Sequence, residues 1–210
     1  MILDDISQHL QDGDAKQVTA LVKKALEEGL AAQDILENGL LKGMGIIGEA
    51  FKKNEVFVPE VIVAARAMNQ GAKLLKVQLA AGGSVAKGKV VLGTVKGDIH
   101  DIGKNLVKIM FEGNGLTVID AGIDVSEDSF IEMVKAEKPD ILALSSLLTT
   151  TMVEQGVVIE ALKKAGLRDK VKVMVGGAPV SQEFADKIGA DAYTKDAASA
   201  ANAAVKLCQA

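Results

Sequence analysis

One histidine and a nearby carboxylate are the residues of this sequence best suited to bind a metal. His100 is one of two histidines in the 210-residue chain, and Asp98 precedes it by two positions on a predicted loop. A neutral imidazole binds transition metals, and a carboxylate that accepts a hydrogen bond from its second nitrogen fixes the tautomer and raises the basicity of the ligand. A zinc site usually takes three or four protein ligands. A metal bound by His100 would therefore have to arrive with most of its coordination filled, as it does inside a macrocycle such as a corrin.

The same two residues have an ordinary structural interpretation, which they leave open by themselves. Asp98 could cap the helix that follows, and His100 could be an exposed loop residue. The pair Gly176-Gly177 follows a later apolar run, and such pairs are common in turns of α/β folds.

Three loops with polar or glycine residues follow separate apolar runs. They are segment 97–103 around His100, segment 145–151 with its serines and threonines, and segment 176–178. Continuous runs of Val, Ile and Leu that alternate with helical patterns predict parallel strands buried on both faces. Such sheets bind ligands beyond the carboxyl ends of their strands. We therefore expect the three loops to meet in one crevice.

The elements that position these loops fall into two parts on either side of a glycine-containing segment at 82–88, which is predicted to be a flexible linker. Apolar stripes predict helices over residues 2–11, 14–28, 32–53 and 59–80. After the linker, strands are predicted over residues 89–95, 116–122, 140–146, 171–177 and 190–194. The predicted fold is α + α/β, with a four-helix bundle over 1–84 and a doubly wound, five-stranded parallel sheet of the Rossmann-like or flavodoxin-like type over 88–210.

The composition argues against two classes of partner. A net charge of −4 and an aromatic content of 3% provide neither a basic surface for phosphates nor stacking platforms, so we expect no nucleic acid partner. No run approaches the roughly 18 apolar residues of a membrane span, and the first residues do not form a signal peptide. The single cysteine fits a reducing compartment, and we expect a cytoplasmic protein without a membrane partner.

The motifs and their spacing resemble the cobalamin-binding signature. It reads D-x-H-x-x-G, then 41 residues, S-x-L, then 28 residues and G-G, and here it comprises Asp98, His100, Gly103, Ser145, Leu147, Gly176 and Gly177. The stretch 43–68, GMGIIGEAFKKNEVFVPEVIVAARAM, is similar to the helical cap of cobalamin-dependent methionine synthase. Together the two parts resemble the stand-alone corrinoid proteins of anaerobic methyltransferase systems over nearly the whole chain.

This resemblance implies a role for each matching position. His100 would replace dimethylbenzimidazole as the lower axial ligand of cobalt, Asp98 would hydrogen-bond to it, and Thr151 would continue that relay. Other cofactor-binding positions, mainly around the displaced nucleotide tail and its tunnel, would be Gly103, Ser145, Leu147, Thr149, Gly176, Gly177 and Ala178. The side chains that shield the upper face of the corrin would be Phe51, Val58 and Val61, with helix packing as the alternative role. Val58 is smaller than the leucine typical of its position.

The resemblance further implies a methyl carrier whose catalysis is shared with partners. Cobalamin or a related corrinoid would take a methyl group in its cob(I)alamin state from a substrate:corrinoid methyltransferase. It would then pass the group, as methylcob(III)alamin, to a second methyltransferase that acts on tetrahydrofolate or a thiol. A reductive activase would maintain the cobalt, and the donor could be methanol, a methylamine, a quaternary amine or a methoxylated aromatic. The chain would be a carrier subunit rather than a complete enzyme.

Other functions share part of the pattern. The cobalamin-binding subunit of an adenosylcobalamin-dependent mutase has D-x-H-x-x-G but lacks the helical part, so residues 43–68 argue against it. A cobalamin-sensing regulator would need an output segment, which we do not find in the sequence. A flavodoxin-like signalling or nucleotide-binding domain has no support from a phosphate-binding fingerprint.

Overall fold

Helices form the first part of the chain, and a parallel sheet with flanking helices forms the second. The structure, a computed structural model, describes residues 1–81 and 87–209, which divide into two units. Most of the predicted linker, residues 82–86, lies outside the described residues. The first unit contains α1 (Ile2–Gln11), α2 (Ala15–Glu27), α3 (Ala32–Asp34), a π-helical segment (Ile35–Leu41), α4 (Lys42–Lys52) and α5 (Val58–Ala81).

Glycines allow the helices of the first unit to approach closely. A Cβ atom at Gly43 would lie 2.9 Å from the main-chain oxygen of Ser7 on α1. One at Gly71 on α5 would lie 2.9 Å from a methyl group of Leu40 and 3.1 Å from one of Val18. Because these contacts join different helices, the apolar stripes pack against one another, and the predicted helical bundle is confirmed.

The third helical run differs from the uninterrupted helix predicted over 32–53. Residues Ile35–Leu41 within it form a π-helical segment. Ile35 and Leu40 are both fully buried although they are five positions apart. An α-helix would rotate these side chains well away from each other, whereas the wider π turn keeps both on the buried side. The α-helical period assumed from the sequence does not reveal such a turn.

The second unit is built around a five-stranded sheet in the order β2-β1-β3-β4-β5, with every pairing parallel. Its elements are β1 (Lys89–Val95), α6 (Ile102–Gly113), β2 (Thr117–Val125), α7 (Glu127–Glu137), β3 (Ile141–Ser145), α8 (Val153–Lys164), a 3-10 turn (Arg168–Lys170), β4 (Lys172–Gly176), α9 (Gln182–Ile188), β5 (Ala192–Tyr193) and α10 (Ala197–Gln209). This is the flavodoxin-like order, which reverses between β1 and β3. The predicted fold class is confirmed. None of the helices in the described ranges is both long and apolar enough to span a membrane.

The central strands form the core of this unit. Val91, Leu142 and Val173 pair in register across β1, β3 and β4, and all three are fully buried. Phe130 of α7 and Ile159 of α8 are fully buried in the same apolar cluster. The continuous apolar runs of the sequence therefore correspond to strands covered by helices, as predicted.

The prediction for β2 was wrong at its carboxyl end, because the strand continues to Val125 instead of stopping at residue 122. Its register with β1 shifts twice between Leu92 and Val95, and each shift adds a residue to β2. Gly122 and Asp124 have positive φ angles of 91° and 52°. Bulges of this kind bend a strand and re-aim its side chains. They carry β2 alongside the loop that follows β1.

Candidate cofactor-binding site

The carboxylate of Asp98 is the centre of the site and accepts hydrogen bonds from four donors. Its Oδ1 lies 2.8 Å from Nδ1 of His100 and 3.1 Å from the main-chain nitrogen of the same residue. Its Oδ2 lies 2.7 Å from the main-chain nitrogen of Leu147 and 2.6 Å from Oγ1 of Thr151. The Asp98 side chain is fully buried. These four donors therefore replace water around its charge.

The same contacts determine the protonation of the pair. Burial raises the pKa of Asp98, but the hydrogen bonds from Thr151, Leu147 and His100 outweigh burial and hold the pKa well below its usual range. Asp98 is therefore ionised at neutral pH and can only accept hydrogen bonds. A neutral His100 must then carry its proton on Nδ1, which leaves the lone pair on Nε2.

His100 is held at one edge of its ring and open at the other. The Thr94 hydroxyl donates to the carbonyl oxygen of His100 at 3.0 Å, and Asp98 holds Nδ1. The His100 side chain is 46% exposed, and Nε2 has no protein hydrogen-bond partner among the described residues. This geometry leaves one nitrogen able to bind a metal from solvent.

The three predicted loops begin at the same level of the sheet. Thr94, Ser145 and Gly176 pair in register at the carboxyl ends of β1, β3 and β4. The Asp98 hydrogen bond to Leu147 joins the first loop to the second, and the main-chain nitrogen of Ser146 donates to the Gly176 oxygen at 3.2 Å. These contacts bring the three loops together at this edge of the sheet, as expected.

The glycines of the motif differ in what surrounds them. A Cβ atom at Gly177, whose φ is 127°, would overlap the main-chain oxygen of Ser146. A Cβ atom at Gly103 would meet nothing within 4 Å, and at Gly176 its nearest neighbour would be the Thr194 oxygen at 3.8 Å. Gly177 is therefore required by the protein's own packing, Gly103 borders open space that a ligand could occupy, and Gly176 could take a Cβ atom at an ordinary contact distance.

Apolar side chains surround the histidine, although sequence reasoning did not single out most of them. Ile99 and Ile102, on either side of His100, are 69% and 80% exposed, and Leu147 and Leu148 are also exposed. Exposed apolar residues around a polar group are typical of ligand sites. Their signal in the sequence is two isoleucines in a loop otherwise made of polar residues and glycine.

Gln155 is a second residue that sequence reasoning missed. Its side chain is fully buried on α8. Its Nε2 lies 3.0 Å from the Gly176 oxygen and 3.1 Å from the Ser146 hydroxyl. One amide thus joins the ends of β3 and β4. The signal was a polar residue on the buried face of an amphipathic helix.

The remaining predicted residues take varied positions. Ser145 is half-buried, and Thr149, Gly177 and Ala178 are exposed. In the first unit Phe51 is half-buried, Val58 is 36% exposed and Val61 is fully buried. The burial of Val61 fits its alternative role in helix packing. Phe57 precedes Val58, was not singled out and is 64% exposed.

Two family matches cover most of the chain. Residues 88–205 match the family described as the B12 binding domain, and residues 2–76 match a second family with the same description. This chain belongs to the B12-binding family. It is accordingly a corrinoid-binding protein, and the described helical unit coincides with the second match.

Relatives of this B12-binding protein extend over its whole length. A corrinoid protein of Desulfitobacterium hafniense (strain Y51) is 44% identical over 209 residues, which cover 98% of this chain and 97% of that protein. Trimethylamine corrinoid protein 1 of Methanosarcina acetivorans is 45% identical over 190 residues, or 90% of this chain and 88% of that protein. The crystal structure of the methanol:cobalamin methyltransferase complex from Methanosarcina barkeri matches with a TM-score of 0.85 and 30% identity, covering 99% of this chain and 80% of that one.

The residues at the site fit a corrinoid better than a bare metal ion. Within residues 1–81 and 87–209, no group of three or more His, Cys, Asp or Glu side chains could hold a metal. A cobalt ion inside a corrin needs one ligand from the protein, and His100 presents one open nitrogen. The exposed isoleucines and the open space at Gly103 suit an apolar macrocycle.

Thr151→Val should destabilise the apoprotein of this B12-binding chain by about 1.5–3 kcal/mol at pH 7, because it removes a 2.6 Å donor from a buried, charged carboxylate. The pKa of Asp98 is lowered by folding, so the stability from its ionised form is present above its ordinary pKa of about 3.9 and is lost as the pH falls further. The difference between the two proteins should therefore shrink below about pH 4. Urea unfolding at several pH values measures it.

Two further variants serve as controls for this substitution. Thr151→Ser keeps the hydroxyl and should retain most of the stability. Thr150→Val makes the same chemical change at an exposed neighbour and should cost less than about 0.5 kcal/mol. Equal losses at positions 150 and 151 would contradict the assigned hydrogen bond.

Proposed function

We propose that this protein carries a methyl group between two methyltransferases on a bound corrinoid, with His100 as the lower axial ligand of its cobalt. The observation that carries the proposal is a half-exposed imidazole whose Nδ1 is fixed by a buried, ionised carboxylate and whose Nε2 is open. Membership of the B12-binding family supports the cofactor. Relatives named as corrinoid proteins of trimethylamine and other systems support the carrier role.

In this proposal Asp98 and His100 act as a unit. The bound corrinoid would supply a cobalt centre that can accept and release a methyl group. Asp98 would hold the tautomer in which Nε2 is unprotonated and available to the metal. The pair would thereby present one fixed nitrogen to the cobalt.

The loops after β3 and β4 would hold the displaced nucleotide tail. The Ser145 and Thr149 hydroxyls can contact polar groups of the tail, while Gly176, Gly177 and Ala178 offer main chain without large side chains. The absence of a side chain at Gly176 and Gly177 supports this role.

The proposed role of the first unit rests on the resemblance of residues 43–68 to a helical cap. Phe51 and Val58 are the proposed shielding side chains, and Phe57 is a further exposed apolar residue next to Val58 in the sequence. Glu60 accepts a hydrogen bond from the main-chain nitrogen of Phe57 at 3.0 Å, which fixes Phe57 at the start of α5.

The proposed partners follow from this cycle. One methyltransferase supplies the methyl group from its own substrate, and a second removes it to tetrahydrofolate or a thiol. A reductive activase would reduce oxidised cobalt to the state that can accept a methyl group. The names of the relatives make methylamines and methanol the first donors to test.

A donor panel tests the proposal. The corrinoid-loaded, reduced protein is incubated with radiolabelled trimethylamine, dimethylamine or methanol, each with its purified corrinoid methyltransferase. We expect label on the protein and a change in its visible spectrum with at least one pair, and none when the methyltransferase is omitted. Absence of label with every pair, together with support of a cobalamin-dependent rearrangement by a mutase catalytic subunit, would contradict a methyl carrier.

A further inference from the structure

The loop that carries His100 is tied to the strand on its other side as well, through Asp124. This residue lies near the end of β2, which is the neighbour of β1 opposite β3. Its Oδ1 accepts a hydrogen bond from the main-chain nitrogen of Gly97 at 2.7 Å. Its own main-chain nitrogen donates to the carbonyl oxygen of Asp98 at 2.9 Å. Asp124 thus makes two contacts with the residues that precede His100.

These contacts act on a tight turn. The main-chain nitrogen of Asp98 donates to the Val95 oxygen at 3.1 Å, and Gly97 between them has a φ of 76°. Glycine takes this conformation at little cost, so the turn forms easily but is not held rigid by a side chain of its own. The acceptor at Asp124 supplies a fixed partner for the Gly97 nitrogen.

The backbone at Asp124 is itself unusual. Its φ of 52° lies in the left-handed region, which disfavours most side chains and which Asn and Asp tolerate best after glycine. The two register shifts of β2 bring it there. Unfavourable backbone conformations that persist near a functional group are often part of its positioning.

We propose that Asp124 is a positioning residue that fixes the Gly97–Asp98 turn and thereby orients the His100 ring toward its metal. Leu147 and Thr151 hold the Asp98 carboxylate from the β3 side, and Asp124 holds the Asp98 main chain from the β2 side. Asp98 is therefore fixed from both neighbouring strands. The inference rests on the proposed function of His100 but concerns the orientation of the ring, which can be measured without the corrinoid.

Three variants distinguish the effect of the Asp124 carboxylate from the effect of the backbone conformation at that position. Asp124→Gly relieves the positive φ but removes the acceptor, and Asp124→Asn keeps both an oxygen acceptor and the tolerance for that conformation. Asp140→Gly is the matched control, because the Asp140 carboxylate accepts a hydrogen bond of the same 2.7 Å length from the Lys89 nitrogen at the opposite end of β1.

The first measurement uses the apoprotein. Nitrogen NMR of the two histidines reports the tautomer of His100, with His9 on α1 as an internal reference. The wild-type ring should show the Nδ1–H tautomer, as should Asp124→Asn and Asp140→Gly. Asp124→Gly should show averaging between tautomers, since the ring is no longer held in one orientation.

The second measurement uses the corrinoid-loaded protein in its cob(II) form. Nitrogen splitting in the electron paramagnetic resonance spectrum gives the ratio of histidine-bound to unbound cobalt. Asp124→Gly should lower this ratio by roughly threefold to tenfold, below the effect typical of a direct partner of the ligand. The asparagine and Asp140 variants should stay within about twofold of wild type.

Two results would overturn the proposal: a wild-type tautomer and ratio in Asp124→Gly, or an equal loss in Asp140→Gly. A failure of the proposed function looks different, because nitrogen splitting would then be missing from the wild-type protein itself. In that case the NMR measurement on the apoprotein still decides whether Asp124 orients the ring.

Discussion

Substitution of His100 by alanine should remove nitrogen splitting from the cob(II) spectrum, change the visible spectrum of the bound corrinoid and weaken corrinoid binding by about tenfold or more. The ring offers the open nitrogen of the site, and the described residues contain no group of three or more His, Cys, Asp or Glu side chains that could hold a metal instead. Spectroscopy of the reconstituted protein and a titration of corrinoid uptake measure both effects.

The same substitution should reduce the stability of the apoprotein less than it reduces corrinoid binding. The His100 side chain is nearly half exposed, and Asp98 keeps its donors from Leu147, Thr151 and the main chain at position 100. We expect a loss of about 0.5–1.5 kcal/mol in the free energy of unfolding, less than for Thr151→Val, because water can take the place of a half-exposed ring as the donor to Asp98. His9→Ala is the matched control, since it removes the other histidine from α1, and it should leave corrinoid binding unchanged. A wild-type spectrum in His100→Ala would falsify the ligand assignment.

The largest loss of stability is expected from Gly177→Ala. The new Cβ atom would overlap the main-chain oxygen of Ser146 and lie 2.8 Å from its carbonyl carbon, at a φ of 127° that side chains rarely adopt. Main-chain atoms cannot rotate away as a side chain can, so the ends of β3 and β4 must separate. Overlap and backbone strain together should cost roughly 3–5 kcal/mol, or prevent folding. Urea unfolding of the apoprotein measures the change, and loss of folded protein would agree with it.

The adjacent glycine provides the control. A Cβ atom at Gly176 has its nearest neighbour at 3.8 Å, which is an ordinary contact. Gly176→Ala should therefore change the stability of the apoprotein by less than about 1 kcal/mol. If the nucleotide tail passes this position, the added methyl group should still weaken corrinoid uptake. Similar stability losses for the two variants would contradict the difference in packing described here.

The sequence predicted those parts of the protein that depend on local pattern and motif spacing. Val91 and Leu142 lie in continuous apolar runs, and both are in buried strands. Asp98 and His100 are two positions apart, so their contact follows from local geometry once the loop forms. Thr151 was linked to Asp98 through the family resemblance, and the 2.6 Å hydrogen bond is present. The cofactor roles of these residues remain predictions.

Features that depend on strand register could not be predicted in this way. Asp124 reaches Gly97 only because β2 gains residues relative to β1, and no local pattern in the sequence marks those shifts. Gln155 resembles any polar residue on a helix until β3 and β4 are placed beside it. The π-helical segment arises because Ile35 and Leu40 must both be buried, which is a demand of tertiary packing.

Leu147 contributes to the site in two separable ways. Its main-chain nitrogen donates to Asp98, while its side chain remains exposed. Any residue except proline provides the same main-chain donor. Natural variation or engineering could therefore change the size and polarity of the surface at this position, beside the proposed corrinoid site, without weakening the main-chain hydrogen bond to Asp98.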